Sequence, residues 1–390
     1  MRILRHTNLH VILGAAFFAV AGNGVVAPIV GSLQQPTGKS LTELSYILTV
    51  FTGFVILFTP VFGLLADRYG RRKVLLPTIL LFSTGALIPL TDSFATILIV
   101  RALQGVSVAG MASLAVTLIG DLYSGAERAQ AMSFRTSAHS FGFAVSPFVA
   151  GALATIDVMY PFYLFALVIP LWLYAYIFLD RDHDNFGGSG MKYVRDIWEV
   201  CKRSETWLVF YSIFHVCVIF YVMLVVVPIL LNRQYAMASF GQGSVLSYFF
   251  AMAALTSLGA RGIIERFRDR HVLIASFVVF GLMMSALPFA HSLPLLLAFI
   301  TLWGIAHGLS FTIVYVLASS LTPTRLRAGA VAGAFMVTYL GVTVSPPVFL
   351  QILAATGGSL EAVFISAGVF AVLPVLAALL GRYRIEGSAP

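Results

Sequence analysis

An all-α integral membrane protein, with twelve transmembrane helices in two pseudo-symmetric six-helix bundles, follows from three observations on these 390 residues. The first is a count. Twelve apolar runs stand at about 9–33, 44–66, 74–90, 95–119, 129–154, 159–179, 207–231, 241–264, 272–290, 293–319, 328–354 and 360–380. Each is close to the roughly 20 helical residues that cross a hydrocarbon core. The second is charge placement: 20 of the 24 Lys and Arg fall on one side of the implied membrane. Only Lys39 and Arg233 fall on the other side, and Arg101 and Arg135 lie within runs. Basic residues concentrate in cytoplasmic loops, so both termini are expected in the cytoplasm. The third is internal repetition. Val25–Ile29 returns as Val225–Ile229, Asp67-Arg68-Tyr69 as Glu265-Arg266-Phe267, Arg128-Ala129 as Arg327-Ala328, and Gly142-x3-Ser146-Pro147 as Gly341-x3-Ser345-Pro346. The offsets are 200, 198, 199 and 199, which reads as one six-helix unit duplicated as a parallel repeat.

Composition agrees. Apolar residues make up 59% of the chain, charged residues 10%, and mean hydropathy is +0.94. A soluble domain carries roughly 25% charged residues. The net charge of +8 would suit nucleic acid if it formed one patch, but it is spread over membrane-face loops, so no nucleic-acid partner is expected. No cleavable leader is expected, because the first run is long and no small-residue cleavage site follows it. Two cysteines, Cys201 in a charged stretch and Cys217 inside a run, form no disulfide framework.

Taken in order, runs 1–6 form an N-terminal bundle, residues 1–180, and runs 7–12 a C-terminal bundle, residues 207–390. Residues 181–206 join them, the only long connection. It opens polar and glycine-rich. Then Met191, Val194, Ile197, Trp198 and Cys201 recur at helical spacing among basic residues, which predicts an amphipathic helix at the cytoplasmic interface. It serves as a plain linker or as a regulatory site.

The tightest connection is the most informative. Between runs 2 and 3 stands Gly63-Leu64-Leu65-Ala66-Asp67-Arg68-Tyr69-Gly70-Arg71-Arg72-Lys73, with the loop proper expected over 67–73. Four of those seven residues are Lys or Arg. The pattern G-x-L-x-D-R-x-G-R-R-K resembles the signature loop of the major facilitator superfamily. That resemblance implies secondary transport by alternating access, with the loop meeting helix 11, here starting Gly329-Ala330-Val331-Ala332-Gly333. Gly63, Asp67, Arg68, Gly70 and Arg71, joined by Asp121 at the end of run 4, are then expected to form an interdomain latch. Taken by themselves, the same charges read as interfacial anchors.

Two further patterns resemble the drug:proton antiporters of that superfamily. Arg101-Ala102-Leu103-Gln104-Gly105 is similar to the R-x-x-Q-G of proton-linked members. Arg101 lies six residues into its run, about 9 Å at 1.5 Å per residue, and either snorkels outward or faces the interior. Run 5 carries Ser133-x8-Gly142-x3-Ser146-Pro147-x2-Ala150-Gly151, similar to the antiporter motif G-x8-G-x3-G-P-x2-G-G with Ser, Ser and Ala in place of three glycines. By itself it reads as a packing helix with a proline bend and no directional meaning.

Acidic residues fall at helix ends and in loops, and none lies deep in a run. Asn23 stands near where many related antiporters carry a carboxylate. The cavity is expected to offer Arg101, Gln104, Arg135, His139, His215 and His307, with Gln34, among aromatics such as Trp303 and Tyr315. Each histidine reads either as a packed, hydrogen-bonded residue or as a proton carrier. His139, modulated by Arg101 and Arg135, is the expected contributor to proton coupling, because imidazole titrates near neutral pH. No P-loop or enzyme constellation is present, and His215 and Cys217 point apart on a helix, so no catalysis, cofactor or metal is expected.

The expected function is proton-coupled export of small amphipathic or hydrophobic compounds. Alternatives are an anionic or lipid-like substrate, a facilitator not coupled to protons, or a non-transporting membrane receptor. The expected partners are a small-molecule substrate, membrane lipids and protons, for a monomer in the plasma (inner) membrane.

Overall fold

The computed structural model describes residues 7–123, 125–180, 204–267, 269–320 and 327–380, with 195, 198, 199 and 202 between them. All regular structure among them is helical. Twelve long helices run in chain order: α1 (Thr7–Gly24), α2 (Leu41–Tyr69), α3 (Arg71–Phe82), α4 (Phe94–Leu122), α5 (Gly125–Ala154), α6 (Val168–Phe178), α7 (Ser204–Tyr235), α8 (Ser239–Phe267), α9 (Asp269–Ala286), α10 (Leu293–Ser320), α11 (Arg327–Ala355) and α12 (Leu360–Leu380). Eleven spans are long and apolar enough to cross a membrane, and Leu360–Leu376 is a shorter apolar helix. Helices are what lipid demands, since each satisfies its own backbone groups where no water can. Most of the amphipathic helix expected over 191–203 lies outside the described residues.

Several helices, α2, α4, α7 and α8 among them, run past both ends of their apolar runs. The seven-residue connection expected over 67–73 reduces to Gly70 alone, because α2 continues to Tyr69 and α3 starts at Arg71. Apolar runs mark the hydrocarbon, whereas charged residues outside it are good helix formers and extend the turn. Gly70 has φ 98°, a left-handed value that glycine adopts without strain, and its N–H donates to Ala66 O at 3.0 Å. At the other end of α2, Ser40 and Glu43 form a capping box: Ser40 Oγ accepts from Glu43 N and Glu43 Oε2 from Ser40 N.

Four spans loosen into 3-10 geometry. The chain after α1 continues as 3-10 turns over Ala27–Ile29 and Gly31–Leu33; α3 is prolonged over Ser83–Leu90, α6 is preceded by Tyr160–Leu167, and α9 is followed by Leu287–Phe289. Ser83 and Thr84 donate to the carbonyls of Leu80 and Leu81, both at 2.7 Å. Such bonds compete with the α ladder, and Pro28, Pro89 and Pro161 in three of the stretches lack an N–H.

The chain divides into two compact units, one of Met1–Arg195 with Leu231–Ser247 and the other of Asp196–Leu230 with Tyr248–Pro390. The internal repeat is visible in both. In the first, a Cβ on Gly142 of α5 would press on Val20 and on Phe17 O of α1. In the second, a Cβ on Gly341 of α11 would press on Phe214 O, Cys217 and Val218 of α7. Glycine at the same point of each repeat lets two helices cross with their backbones nearly touching. The start of α8 packs with the first unit: Phe240 lies edge-on to Phe148 at 5.2 Å, and Ser32 and Ser239 share a hydrogen bond at 3.4 Å.

Candidate functional site

Arg101 is fully buried, which decides between the two readings of its sequence: it does not snorkel. Its guanidinium is placed by three helices. Nε donates to Ile47 O of α2 at 3.0 Å, Nη1 to Gly22 O of α1 at 3.0 Å and to Gln104 Oε1 at 2.8 Å, and Nη2 to Asn23 Oδ1 at 2.8 Å. The cation also lies over the Phe51 ring, 4.2 Å from its centroid. Each of these acceptors is neutral.

The local sequence explains why neutral acceptors gather there. Gly22 and Asn23 are in the last turn of α1, where the carbonyls lose their helical N–H partners as the chain passes into the Ala27-Pro28-Ile29 turn. A helix C-terminus carries about half a negative charge. Arg101 caps it from the side, and Asn23 adds an oxygen where a carboxylate would have given a full ion pair. Gln104, one turn on, accepts from Arg101 and donates its Nε2 to Phe82 O at 3.1 Å, tying α3 into the same cluster. The close approach needs glycine: a Cβ at Gly85 would strike Gln104 Nε2, and one at Gly105 would strike Phe51 O.

The other expected site residues fall into three groups. On α5, Ala131, Arg135, Gly142, Ser146 and Ala150 are buried at helical spacing, with His139 half-buried beside them and facing Phe143 edge-on at 5.3 Å. Ser146 Oγ is buried without a hydrogen-bond partner, although Ser345 at the equivalent point of the second repeat donates to Val218 O at 2.8 Å. Gly151 and Pro147 meet the start of α8, where a Cβ on Gly151 would strike Ser239 O.

In the second unit, His215 is packed: Nδ1 donates to Tyr211 O at 2.8 Å and the ring stacks on Phe370 at 4.1 Å. His307 is enclosed by aromatic rings, stacked on Phe220 at 5.1 Å. Gln34 is exposed on a single helical turn, Gln34–Thr37, and lines no buried site.

At the α2–α3 junction, Arg71 Nε pairs with Asp121 Oδ2 at 3.0 Å and Arg71 Nη1 donates to Ala66 O at 3.0 Å, capping the end of α2. Arg68 is exposed, its guanidinium over the Tyr69 ring. Gly63 is half-buried, and the side chain of Asp67 lies outside the described residues. Asp121 is half-exposed, so the pair adds no more than about 1 kcal/mol to stability. If it is a latch, Asp121→Asn leaves the melting temperature within a degree or two of wild type yet lowers the initial transport rate several-fold. Unchanged transport in proteoliposomes would mark the charges as anchors only.

The backbone acceptors around Arg101 were not legible beforehand. The usable signal was Asn23 five residues before Pro28, which marks a helix end beside a polar side chain.

Comparison with known proteins agrees with this architecture. The bacillibactin exporter of Bacillus subtilis (strain 168) is 24% identical over 349 residues, 85% of this chain and 86% of that protein. Multidrug resistance protein 2 of the same organism is 29% identical over 162 residues, 41% of this chain and 40% of its own length. Among solved structures, a bacterial homolog of the human lysosomal transporter Spinster, inward-facing and occupied, superposes with a TM-score of 0.80 at 15% identity over 95% of both chains. The family profile of the Major Facilitator Superfamily matches residues 12–242 and again 209–389. With both halves matched, the chain is a transporter belonging to the Major Facilitator Superfamily.

Proposed function

We propose that this transporter exports small amphipathic or hydrophobic compounds by alternating access, coupled to protons, as a monomer in the plasma membrane with both termini cytoplasmic. The observation that carries the reading is the Arg101–Gln104 cluster on α4. A buried charge in a membrane is expensive and marks function more often than packing. With Ile47 O, Gly22 O and Asn23 Oδ1 among its acceptors, it can exchange one of these neutral partners for a substrate or for a newly ionised group. The similarity to an exporter over 85% of the chain supports the outward direction.

The test is flux of ethidium into proteoliposomes whose outward face is the cytoplasmic one. An acid lumen is expected to speed uptake several-fold over no gradient, because protons leave as substrate enters. His139→Gln is expected to lose that response while keeping substrate exchange. Wild-type uptake that ignores the gradient would remove proton coupling from the reading.

One observation favours a second reading, an anionic substrate. The buried charges of the first unit include Arg101 and Arg135, and the sequence holds no acid between Glu43 and Asp67 or between Asp92 and Asp121. Uptake of 8-anilinonaphthalene-1-sulfonate well above that of ethidium in the same vesicles would favour it.

A further inference from the structure

We propose that the second unit carries a subsite for a planar aromatic group bearing an oxygen acceptor, closed at its inner end by His307 and Trp303 of α10. The inference rests on the export reading above and names a substrate class for it.

The first observation is a pair of polar atoms. His307 Nδ1 and Trp303 Nε1 are both buried and have no hydrogen-bond partner, with His307 7% exposed and Trp303 0%. The two residues are one turn apart on α10 and share the Phe249 ring as a neighbour, at 5.5 and 5.6 Å. A buried polar group left unpaired costs about 1–3 kcal/mol. Two within a single turn mark a place where a ligand atom would supply what the protein does not.

The second observation is where the aromatic rings lead. From His307, Phe311 follows at 5.6 Å, then Tyr315 at 4.9 Å, Phe335 of α11 at 6.3 Å and Tyr339 at 6.2 Å. Tyr315 and Thr338 join the two helices through a hydroxyl–hydroxyl bond of 2.6 Å. All four rings beyond His307 are half-exposed.

That exposure is not towards lipid. On α11 the outward apolar face is marked by Leu340, Val344 and Val348, 47%, 37% and 42% exposed. With 3.6 residues per turn, Phe335, Thr338 and Tyr339 lie about half a turn round from it. On α10 the outward face carries Leu302, Ile305 and Val316. His307 and Phe311 lie well round from that face by the same count. Half-exposed aromatics on the inward side of two adjacent helices can meet a ligand, and the chain of rings ends at the buried His307–Trp303 pair.

The chemistry then selects the ligand. Ring faces spaced 5–6 Å apart accept a planar ring by offset or edge contact. Indole Nε1 only donates, so its partner must be an acceptor, and a neutral imidazole nitrogen can meet the same group in either role. The sequence holds no acid between Asp269 and Glu361, so no carboxylate of α10 or α11 favours a cation there. A phenolic hydroxyl or a carboxylate on an aromatic ring fits. A saturated ring or an unsubstituted arene meets only half of the site.

Three probes of one shape separate the terms: 2-naphthol, naphthalene and decahydro-2-naphthol, measured by equilibrium dialysis against the full chain in nanodiscs, with empty nanodiscs subtracted. A net hydrogen bond, absent with naphthalene, and an aromatic ring contact, absent with decahydro-2-naphthol, each change affinity about two- to tenfold. Wild type is therefore expected to bind 2-naphthol about fivefold more tightly than either analogue. His307→Phe keeps a ring but removes the nitrogens; it should abolish the hydroxyl preference and leave naphthalene binding near wild type. Trp303→Phe removes the donor while keeping an aromatic ring, and should lower 2-naphthol affinity more than naphthalene affinity.

A wild type that does not distinguish the three probes overturns the subsite, as does a preference that survives both substitutions. The assay needs no transport. Ethidium flux with no probe preference would sink the subsite and leave export standing, whereas probe preference with no flux would do the reverse.

Discussion

Arg101→Lys is expected to lower transport by at least an order of magnitude while the protein still reaches the membrane, and Arg101→Ala is expected to destabilise it outright. The guanidinium hydrogen-bonds to Ile47 O, Gly22 O, Gln104 and Asn23 in directions that its planar fork fixes. Lysine keeps the charge but has three donors on one nitrogen, so it cannot reach acceptors on α1, α2 and its own helix together. The cation would still sit near the C-terminal dipole of α1, worth about 0.3–1 kcal/mol, which is why folding survives.

Alanine removes both terms. It leaves Asn23, Gln104 and two backbone carbonyls buried without these bonds, at about 1–3 kcal/mol for each acceptor that no water reaches. The checks are initial flux in proteoliposomes for the lysine variant and melting temperature in detergent for the alanine variant. Wild-type flux with lysine would mean that the charge acts without its geometry. An unshifted melting temperature with alanine would mean that the cluster is not what holds α1, α2 and α4 together.

How much of this was readable in the chain follows from what the residues can signal. Apolar length and loop charge predicted all twelve helices, because the hydrocarbon core imposes both. Their ends were less legible: charged residues 67–69 and 71–73 extend α2 and α3 past the apolar runs and leave Gly70 as the junction. The 3-10 stretches were missed as well. Hydropathy reads Ser83–Leu90 as plain membrane helix, whereas Ser83 and Thr84 bond the carbonyls behind them.

At the site, residue identity pointed to Arg101, Gln104 and Asn23 but left the direction of Arg101 open. Three of its cluster's acceptors are backbone carbonyls, and a carbonyl freed by a helix end has no letter of its own. The aromatic ladder from His307 to Tyr339 was half visible. The i, i+4 recurrence of 307, 311 and 315 stands in the sequence, but its pairing with α11 needs the fold.

The second large effect is expected at a glycine contact. A Cβ on Gly243 of α8 would strike Pro147 O of α5 and lie 3.3 Å from Gly151 Cα, while a Cβ on Gly151 would strike Ser239 O. The obstructing atoms are mostly backbone and cannot rotate away, so Gly243→Val forces the start of α8 off α5. Small residues at such crossings let dispersion and backbone contacts replace the hydrophobic drive that lipid does not provide. Gly243→Val is expected to lower transport at least tenfold, with a fall of several degrees in melting temperature. Gly259→Val on the same helix is the control, because a Cβ there meets nothing within 4 Å, and it should leave both close to wild type. The comparison also tests what the serine-substituted motif on α5 does. If α5 were only a packing helix, Gly243→Val would lower stability and flux in proportion. If its contact with α8 must form and part in each cycle, flux falls far more than the melting temperature accounts for. Equal flux in the two valine variants would remove the contact from the transport cycle altogether.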